Sequence, residues 1–326
     1  MFGLHLIRSR QQLAGATRGG AATIGNFDGV HRGHRAMLAR AGDRARKLGG
    51  PLTVVTFEPR PVDYFLGDEA PRRVCTFRDK CRLLAGAGVD QVLNLRFDQD
   101  LATMPAPDFV RELLVDGLGI EYLLVGDDFR YGHRRAGDVK TLAVEARRHG
   151  FELDVMPTVA HAGGRVSSTR IREQLERADV DGASELLGHR YAISGRVRYG
   201  QKLGRELGFP TANLVVPDNL ALRDGVWVAR VHGVGEQGRD AVVSLGRRPT
   251  VEGRRRLLEA HLLDFDKRIY RKHVEVFLYR HLREEIHFPD TDSLTRQMHE
   301  DTREAREWLA ANPVDDDVST TSGVIG

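Results

Sequence analysis

In the first half of the chain, short apolar runs at residues 52–57, 91–95, 122–126 and 153–156 read as buried strands, joined by an AATI run at residues 21–24. Between them, residues 32–48, 77–87, 107–118 and 138–149 space their apolar positions as amphipathic helices do. Strand and helix in alternation predict an α/β domain of Rossmann-like design, a parallel sheet with helices on both faces. Such a sheet binds its ligand at the carboxyl ends of the strands.

From about Leu187 the pattern changes. Residues 191–199, 226–232, 241–245, 257–264 and 273–279 read as strands separated by Gly, Pro, Asn and Asp turns, which predicts a closed antiparallel β-barrel. A final helix over 293–310 follows a cap region of Asp290, Thr291 and Asp292. The expected division is 1–186 for the α/β domain, 187–312 for the barrel with its C-terminal helix, and 313–326 for a small polar tail expected to be disordered.

Composition narrows the class. In 326 residues, 41% are hydrophobic and 29% charged, as in a globular enzyme of about two domains. The net charge is only +3, with 49 Lys and Arg scattered along both halves, so nucleic-acid binding is not expected. No apolar run approaches the length of a bilayer span and no signal-peptide core is visible, so the expected location is cytoplasmic. Cys75 and Cys81 fit neither a disulfide framework nor a CxxC motif and read as reduced structural thiols.

Chemistry concentrates first in GNFDGVHRGH, Gly25 to His34. A strand end passes through glycine into paired histidines at a helix start, where free backbone N–H groups and the helix dipole attract anions. With His31 and His34 three apart on the first turn, two imidazoles can hold a triphosphate during substitution at phosphorus. A second segment, GGRVSSTRIREQL, places Ser167, Ser168 and Thr169 at a helix start with Arg170 and Arg172 in its first turn. Alone it reads as a capped helix with solvated arginines; beside the histidines it supplies donors for a leaving pyrophosphate. A third, GDDFRYG, leaves the end of a central strand, where Asp128 can meet a ribose, an amide or a metal, or simply make a turn.

In the second half, Gly195, Gly200, Gly204 and Gly208 permit close approach to phosphates, with Lys202 and Arg205 supplying charge. Gly195 to Gly200 has P-loop glycine spacing but lacks the following Lys-Ser/Thr, and GVGEQG at Gly233 to Gly238 satisfies GxGxxG yet lies between two strands. The first is no Walker motif, and the second reads as a hairpin loop.

GNFDGVHRGH, FEPRP, GDDFRYG and RVSSTRIR, in this order and spacing, resemble the adenylyltransferase module of the bacterial bifunctional riboflavin kinase/FMN adenylyltransferases, the FAD synthetases. GRVRYGQKLGRELGFPTANL, SLGRRPTVEG, LEAHLLDFD and RxExxF resemble their riboflavin kinase module, so the likeness covers nearly the whole chain except the tail. The resemblance implies two ATP-dependent reactions, riboflavin to FMN in the barrel and FMN to FAD plus pyrophosphate in the α/β domain. It implies Mg²⁺ with ATP, held by Thr211 and Asn213 beside Pro210 in PTAN, with Glu259 as the base for the riboflavin hydroxyl. For Glu259 the residues alone favour one outward-facing carboxylate of an alternating strand. In the first domain it implies that His31, His34 and Arg172 act on the phosphates, with Ser167, Ser168 and Thr169. Gly25, Asn26, Phe27, Asp28 and Asp128 would line the adenylyl site, Asp128 standing where some relatives carry Asn. The expected partners are riboflavin, FMN and ATP, without nucleic acid or membrane, with room for a weak homo-oligomer. A synthetase-like tRNA binder would need a basic face, and a flavin-sensing module a broken HxGH or a missing Glu259; the chain has none of these.

Overall fold

The computed structural model describes residues 3–161, 163–199, 209–250 and 253–313. Among the described residues the chain divides into two compact units, one holding those up to Pro71 and Lys80–Ser167, the other Arg72–Asp79 and those from Ser168 to Pro313.

The first unit is a six-stranded parallel sheet of β1 (His5–Ile7), β2 (Ala21–Ile24), β3 (Leu52–Phe57), β4 (Gln91–Leu95), β5 (Tyr122–Gly126) and β6 (Glu152–Met156), in the order β1-β4-β3-β2-β5-β6. Its central strands are buried along nearly their whole length, which is why they carry unbroken apolar runs. The core joins Ile24, Val55 and Leu123 of the sheet to Leu113, Leu114 and Leu142 of the covering helices. After β2 the chain adds β3 and β4 on one side, then returns to place β5 on the other. This order reversal makes the carboxyl ends of β2 and β5 the switch point of the sheet.

Helix α1 (Arg32–Leu48) follows β2, and α2 (Pro61–Leu66) follows β3. Helix α3 (Phe77–Gly86) precedes β4, and α4 (Gln99–Ala102) and α5 (Ala106–Asp108) follow it. The expected helix at 107–118 runs from α5 into a π-helix over Phe109–Leu118, where a Cβ on Gly117 would meet the Glu112 carbonyl at 2.9 Å. Helix α6 (Val139–His149) has the reciprocal Asp138–Thr141 capping box and ends on left-handed Gly150. A short hairpin, β7 (Ala160–His161) and β8 (Gly164–Arg165), follows β6.

The second unit contains α7 (Ser168–Glu176), α8 (Val180–Leu187) and six antiparallel strands: β9 (Ala192–Arg196), β10 (Thr211–Val215), β11 (Gly225–His232), β12 (Arg239–Thr250), β13 (Gly253–Leu262) and β14 (His273–Arg283). Their order is β10-β13-β12-β11-β14-β9, and an antiparallel bridge from Arg198 to Asn213 nearly closes the sheet into the expected barrel. The GVGEQG segment joins β11 to β12 as a hairpin loop. Inward positions such as Leu214, Trp227, Val243 and Leu258 are fully buried. Strand β11 is buried on its outer face too, because Val228 packs against Ala305 and Leu309 of the final helix, Thr291–Ala311. That helix is capped by Asp290 and tied to β14 by a two-bond Arg283–Asp301 pair at 2.8 and 2.7 Å. Arg73 belongs to this unit because its backbone pairs with the chain at Asn219 and Ala221. The expected tail beyond Pro313 lies outside the described residues.

Candidate active site

The loop between β2 and α1 is built to present its histidines. Phe27 and Val30 are fully buried, and Phe27, Gly29 and Val30 all take left-handed backbone conformations, with φ of 47°, 81° and 43°. Two non-glycine residues in that region mark stored strain, which burial of their side chains offsets. His31 then caps α1 itself, its Nδ1 accepting the His34 backbone N–H at 3.3 Å. With the Nδ1 lone pair engaged, the neutral ring carries its proton on Nε2 as an N–H donor. The glycine of HxGH suits this fold-back, since a Cβ on Gly33 would lie a tight 3.2 Å from His31 Cε1.

The two rings stack, centroids 3.6 Å apart and 12° from parallel, and Phe27 packs against His34. Burial, and then the charge of Arg165, hold the His31 imidazole down to about 4 against the pull of a backbone hydrogen bond. His34 is pushed well below the usual imidazole range by burial, by His31 and by Lys80. The pair is therefore neutral at pH 7. His34 Nδ1 is hidden from solvent without a hydrogen-bond partner among the described residues.

Supporting groups missed in the sequence surround the loop. Asp28, expected to line the ligand, is buried and paired at 2.9 Å with Arg60 of FEPRP, which also holds Asp63 and the Pro71 carbonyl. The pair ties the histidine loop to the start of α2. That helix exposes Tyr64, Phe65 and Leu66, and its two aromatic rings contact Phe97 at 5.4 and 5.7 Å. Lys80, 2% exposed, reaches Thr56 Oγ1 at 3.5 Å. The signal for these groups was FEPRP, whose arginine follows a strand end as the histidines do.

Asp128 stands beyond the carboxyl end of β5, next in the sheet to the histidine strand, and pairs with Arg165 at 2.5 Å. Two residues after Arg165 the chain reaches Ser167 and then α7, where Arg172 donates to Thr169 Oγ1 at 3.0 Å. Ser168, Thr169 and Arg172 fall in the second compact unit. A cavity of about 550 Å³ in the first unit, lined by Pro105, Pro107, Tyr131, His133, Thr141 and Glu145 among others, contains none of the sequence-predicted site residues.

In the barrel, register places Asn213 opposite Glu259, and Glu259 opposite Ser244, so the three share the outer face. Thr211 lies on that face two residues from Asn213, whose Nδ2 donates to the Thr211 carbonyl at 3.4 Å. Glu259 is partly buried and accepts from Arg248 Nε at 3.1 Å. Thr211, Asn213 and Pro210 line a cavity of about 300 Å³ with Phe265, Lys267 and Tyr270. Pro210 also accepts from His261 Nδ1 at 3.1 Å. Gly195 lies inside β9 opposite Val274, where a Cβ would meet the Leu214 side chain at 2.9 Å, so its bareness serves strand packing. Gly200, Lys202 and Gly204, with Arg205 and Gly208, lie outside the described residues.

Among the described residues no group of three His, Cys, Asp or Glu is arranged to hold a metal ion. Mg²⁺ takes oxygen ligands and is commonly shared with nucleotide phosphates. The Thr211 hydroxyl and Asn213 amide oxygen are neutral donors of that kind on one strand face. No helix among the described residues is long and apolar enough to cross a membrane.

Comparison with known proteins matches the two halves of the chain to two families. Residues 14–170 match the FAD synthetase family and residues 187–309 the riboflavin kinase family. The bifunctional riboflavin kinase/FMN adenylyltransferase of Escherichia coli K12 is 43% identical over 307 residues, covering 94% of this chain and 98% of that one. The Pseudomonas fluorescens enzyme of the same name is 43% identical over 308 residues, with the same coverage. A Streptococcus pneumoniae crystal structure described as a macrolide-efflux protein superposes with a TM-score of 0.78 at 28% identity, over 94% of this chain and all of that one.

Proposed function

The chain belongs to the bifunctional riboflavin kinase/FMN adenylyltransferase family, and we propose that the two sites divide its reactions as follows. The adenylyltransferase domain spans 1–186 and the kinase domain 187–312. Both reactions proceed in the cytoplasm with ATP and Mg²⁺.

In the kinase site, the riboflavin 5′ oxygen attacks the γ-phosphorus of ATP. The new O–P bond forms as the bond to the β-bridging oxygen breaks, ADP leaves, and Glu259 takes the hydroxyl proton. Thr211 and Asn213 would hold Mg²⁺ and the phosphates at the cavity they line, with Pro210 shaping the strand start. Mg²⁺, when bound with ATP, neutralises charge on the transferring phosphoryl group. Gly195 supports this site through barrel packing, and Gly200, Lys202 and Gly204 would meet the ATP phosphates.

In the adenylyltransferase site, a phosphate oxygen of FMN attacks the α-phosphorus of ATP and pyrophosphate leaves, with no proton to remove from the nucleophile. The protein's task is alignment and charge stabilisation. The neutral His31 offers its Nε2–H to the α-phosphate, and His34 stacks behind it. As negative charge builds on the transferring phosphoryl group, the hydrogen bond from the neutral His31 Nε2–H strengthens where the transition state needs it. Gly25, Asn26 and Phe27 line the adenylyl group with Asp128. Asp28 acts through Arg60 to fix the loop. Ser167, Ser168, Thr169 and Arg172 hold the β and γ phosphates. The exposed rings of α2, set edge to face at 83° to each other, offer an aromatic surface for the isoalloxazine.

One observation carries the adenylyltransferase reading: a neutral, stacked histidine pair capping a helix at the sheet's switch point. The test follows flavins by chromatography with riboflavin, ATP and Mg²⁺. His31→Ala is expected to accumulate FMN without FAD, and Glu259→Ala to make no FMN yet still convert added FMN to FAD. Loss of both activities in either variant would refute the division.

A further inference from the structure

We propose that Arg248 and Glu285 are positioning residues of the kinase step, an arginine held between two carboxylates so that Glu259 is oriented without being locked into a private ion pair. This rests on the reading of Glu259 as the base.

Alternation along β12 places Ser244, Gly246 and Arg248 on one face, the face that register shares with Glu259 and Asn213. Arg248 uses all three guanidinium nitrogens: Nε to Glu259 at 3.1 Å, Nη1 to Glu285 at 2.6 Å and Nη2 to Ser244 Oγ at 2.8 Å. The Ser244 hydroxyl in turn donates to Glu285 Oε1 at 3.2 Å. Glu285 follows the end of β14 and folds its carboxylate over the bare Cα of Gly246, where a Cβ would collide with it. The glycine of SLGRRP thus makes room for the second carboxylate, and RxExxF delivers it.

Stability does not account for this arrangement. Arg248, Glu259 and Glu285 keep 31%, 29% and 32% of their side chains exposed, where ion pairs contribute little net stabilisation. A strand glycine also weakens the strand that carries it. What the network fixes is geometry. A general base must sit within hydrogen-bond reach of the proton it takes, with its rotamer held by its neighbours. Glu285 and Ser244 draw two of the guanidinium nitrogens away while anchoring the third.

The experiment measures riboflavin phosphorylation by the full chain, with Mg²⁺ and both substrates varied. Glu285→Gln is expected to lower kcat about tenfold while both KM values stay within about twofold, since orientation and proton transfer suffer but binding does not. Gly246→Ala is expected to do the same by displacing Glu285 with its charge intact, and Glu285→Asp to recover part of the loss. Thermal melting monitors the fold; if Gly246→Ala fails to fold, Glu285→Gln alone decides. A kcat within about twofold of the parent in Glu285→Gln while Glu259→Gln is inactive, or a rise in KM at constant kcat, overturns the proposal and leaves the base intact. Full activity in Glu259→Gln overturns the base assignment itself, and the positioning roles with it.

Discussion

His31 accepts the backbone N–H of His34 and stacks its ring on that residue's ring, so one side chain both caps the helix and fixes its own tautomer. Its folded pKa of about 4 lies below the usual imidazole value of 6.5, so the unfolded chain binds the extra proton first. Stability present above 6.5 is therefore lost as pH falls toward 4, by about 2–3 kcal/mol for this group. Asparagine caps helices well and has no imidazole. His31→Asn is expected to abolish FAD formation yet flatten the pH 6.5-to-4 fall in thermal stability. Melting curves at pH 7 and 5 check this, and an unchanged acid sensitivity would locate it elsewhere.

Arg60 and Asp28 are about 4% and 5% exposed, so neither charge has water to fall back on. Removing one partner of a buried pair leaves the other uncompensated, at roughly 3–5 kcal/mol. Arg60→Met is expected to destabilise the adenylyltransferase unit by that order in denaturant unfolding. FAD formation should fall with it, because the histidine loop loses its tie to α2. The paired variant Arg60→Met/Asp28→Leu should recover part of the stability, Asp63 and the Pro71 carbonyl still lacking Arg60, but not activity, which separates bracing from catalysis.

Much of this was legible because the residues involved are governed locally. Buried parallel strands write themselves as apolar runs, so β2 to β5 fall where the sequence places them. β1 escaped because three residues show no period, and its place is set by parallel pairing with β4. The histidines were readable from spacing at a strand-to-helix turn. The Arg60–Asp28 and Arg248–Glu285 pairs were not, because each joins residues more than 30 positions apart through the tertiary fold. FEPRP and RxExxF were visible as strings, but nothing local says which carboxylate an arginine will meet. Likewise Gly246 and Gly195 look alike in sequence, and only the structure shows that one clears a carboxylate and the other a leucine.

Tyr64 and Phe65 keep 41% and 65% of their surface exposed while touching each other and Phe97, an unusual expense for large rings without a partner. If the isoalloxazine covers them, Tyr64→Ala with Phe65→Ala should raise the FMN KM of adenylylation about tenfold or more. The ATP KM and the kinase reaction should stay near parental values. An unchanged FMN KM would remove these rings from the site.

Thr211 offers the sharpest test of the metal. Valine matches its shape, suits a strand, and lacks only the hydroxyl oxygen. If that oxygen is a ligand, Thr211→Val should need several-fold more Mg²⁺ for half-maximal riboflavin phosphorylation at fixed ATP. The Mg²⁺ dependence of FAD formation, which uses the other domain, should not move. Chelating the metal should halt phosphorylation in parent and variant alike. A lowered kcat with an unshifted Mg²⁺ titration would assign the hydroxyl to an ATP phosphate instead, because losing a metal ligand weakens metal binding before it weakens turnover at saturating metal. Asn213, on the same strand face, would then be left as the neutral oxygen that meets the ion.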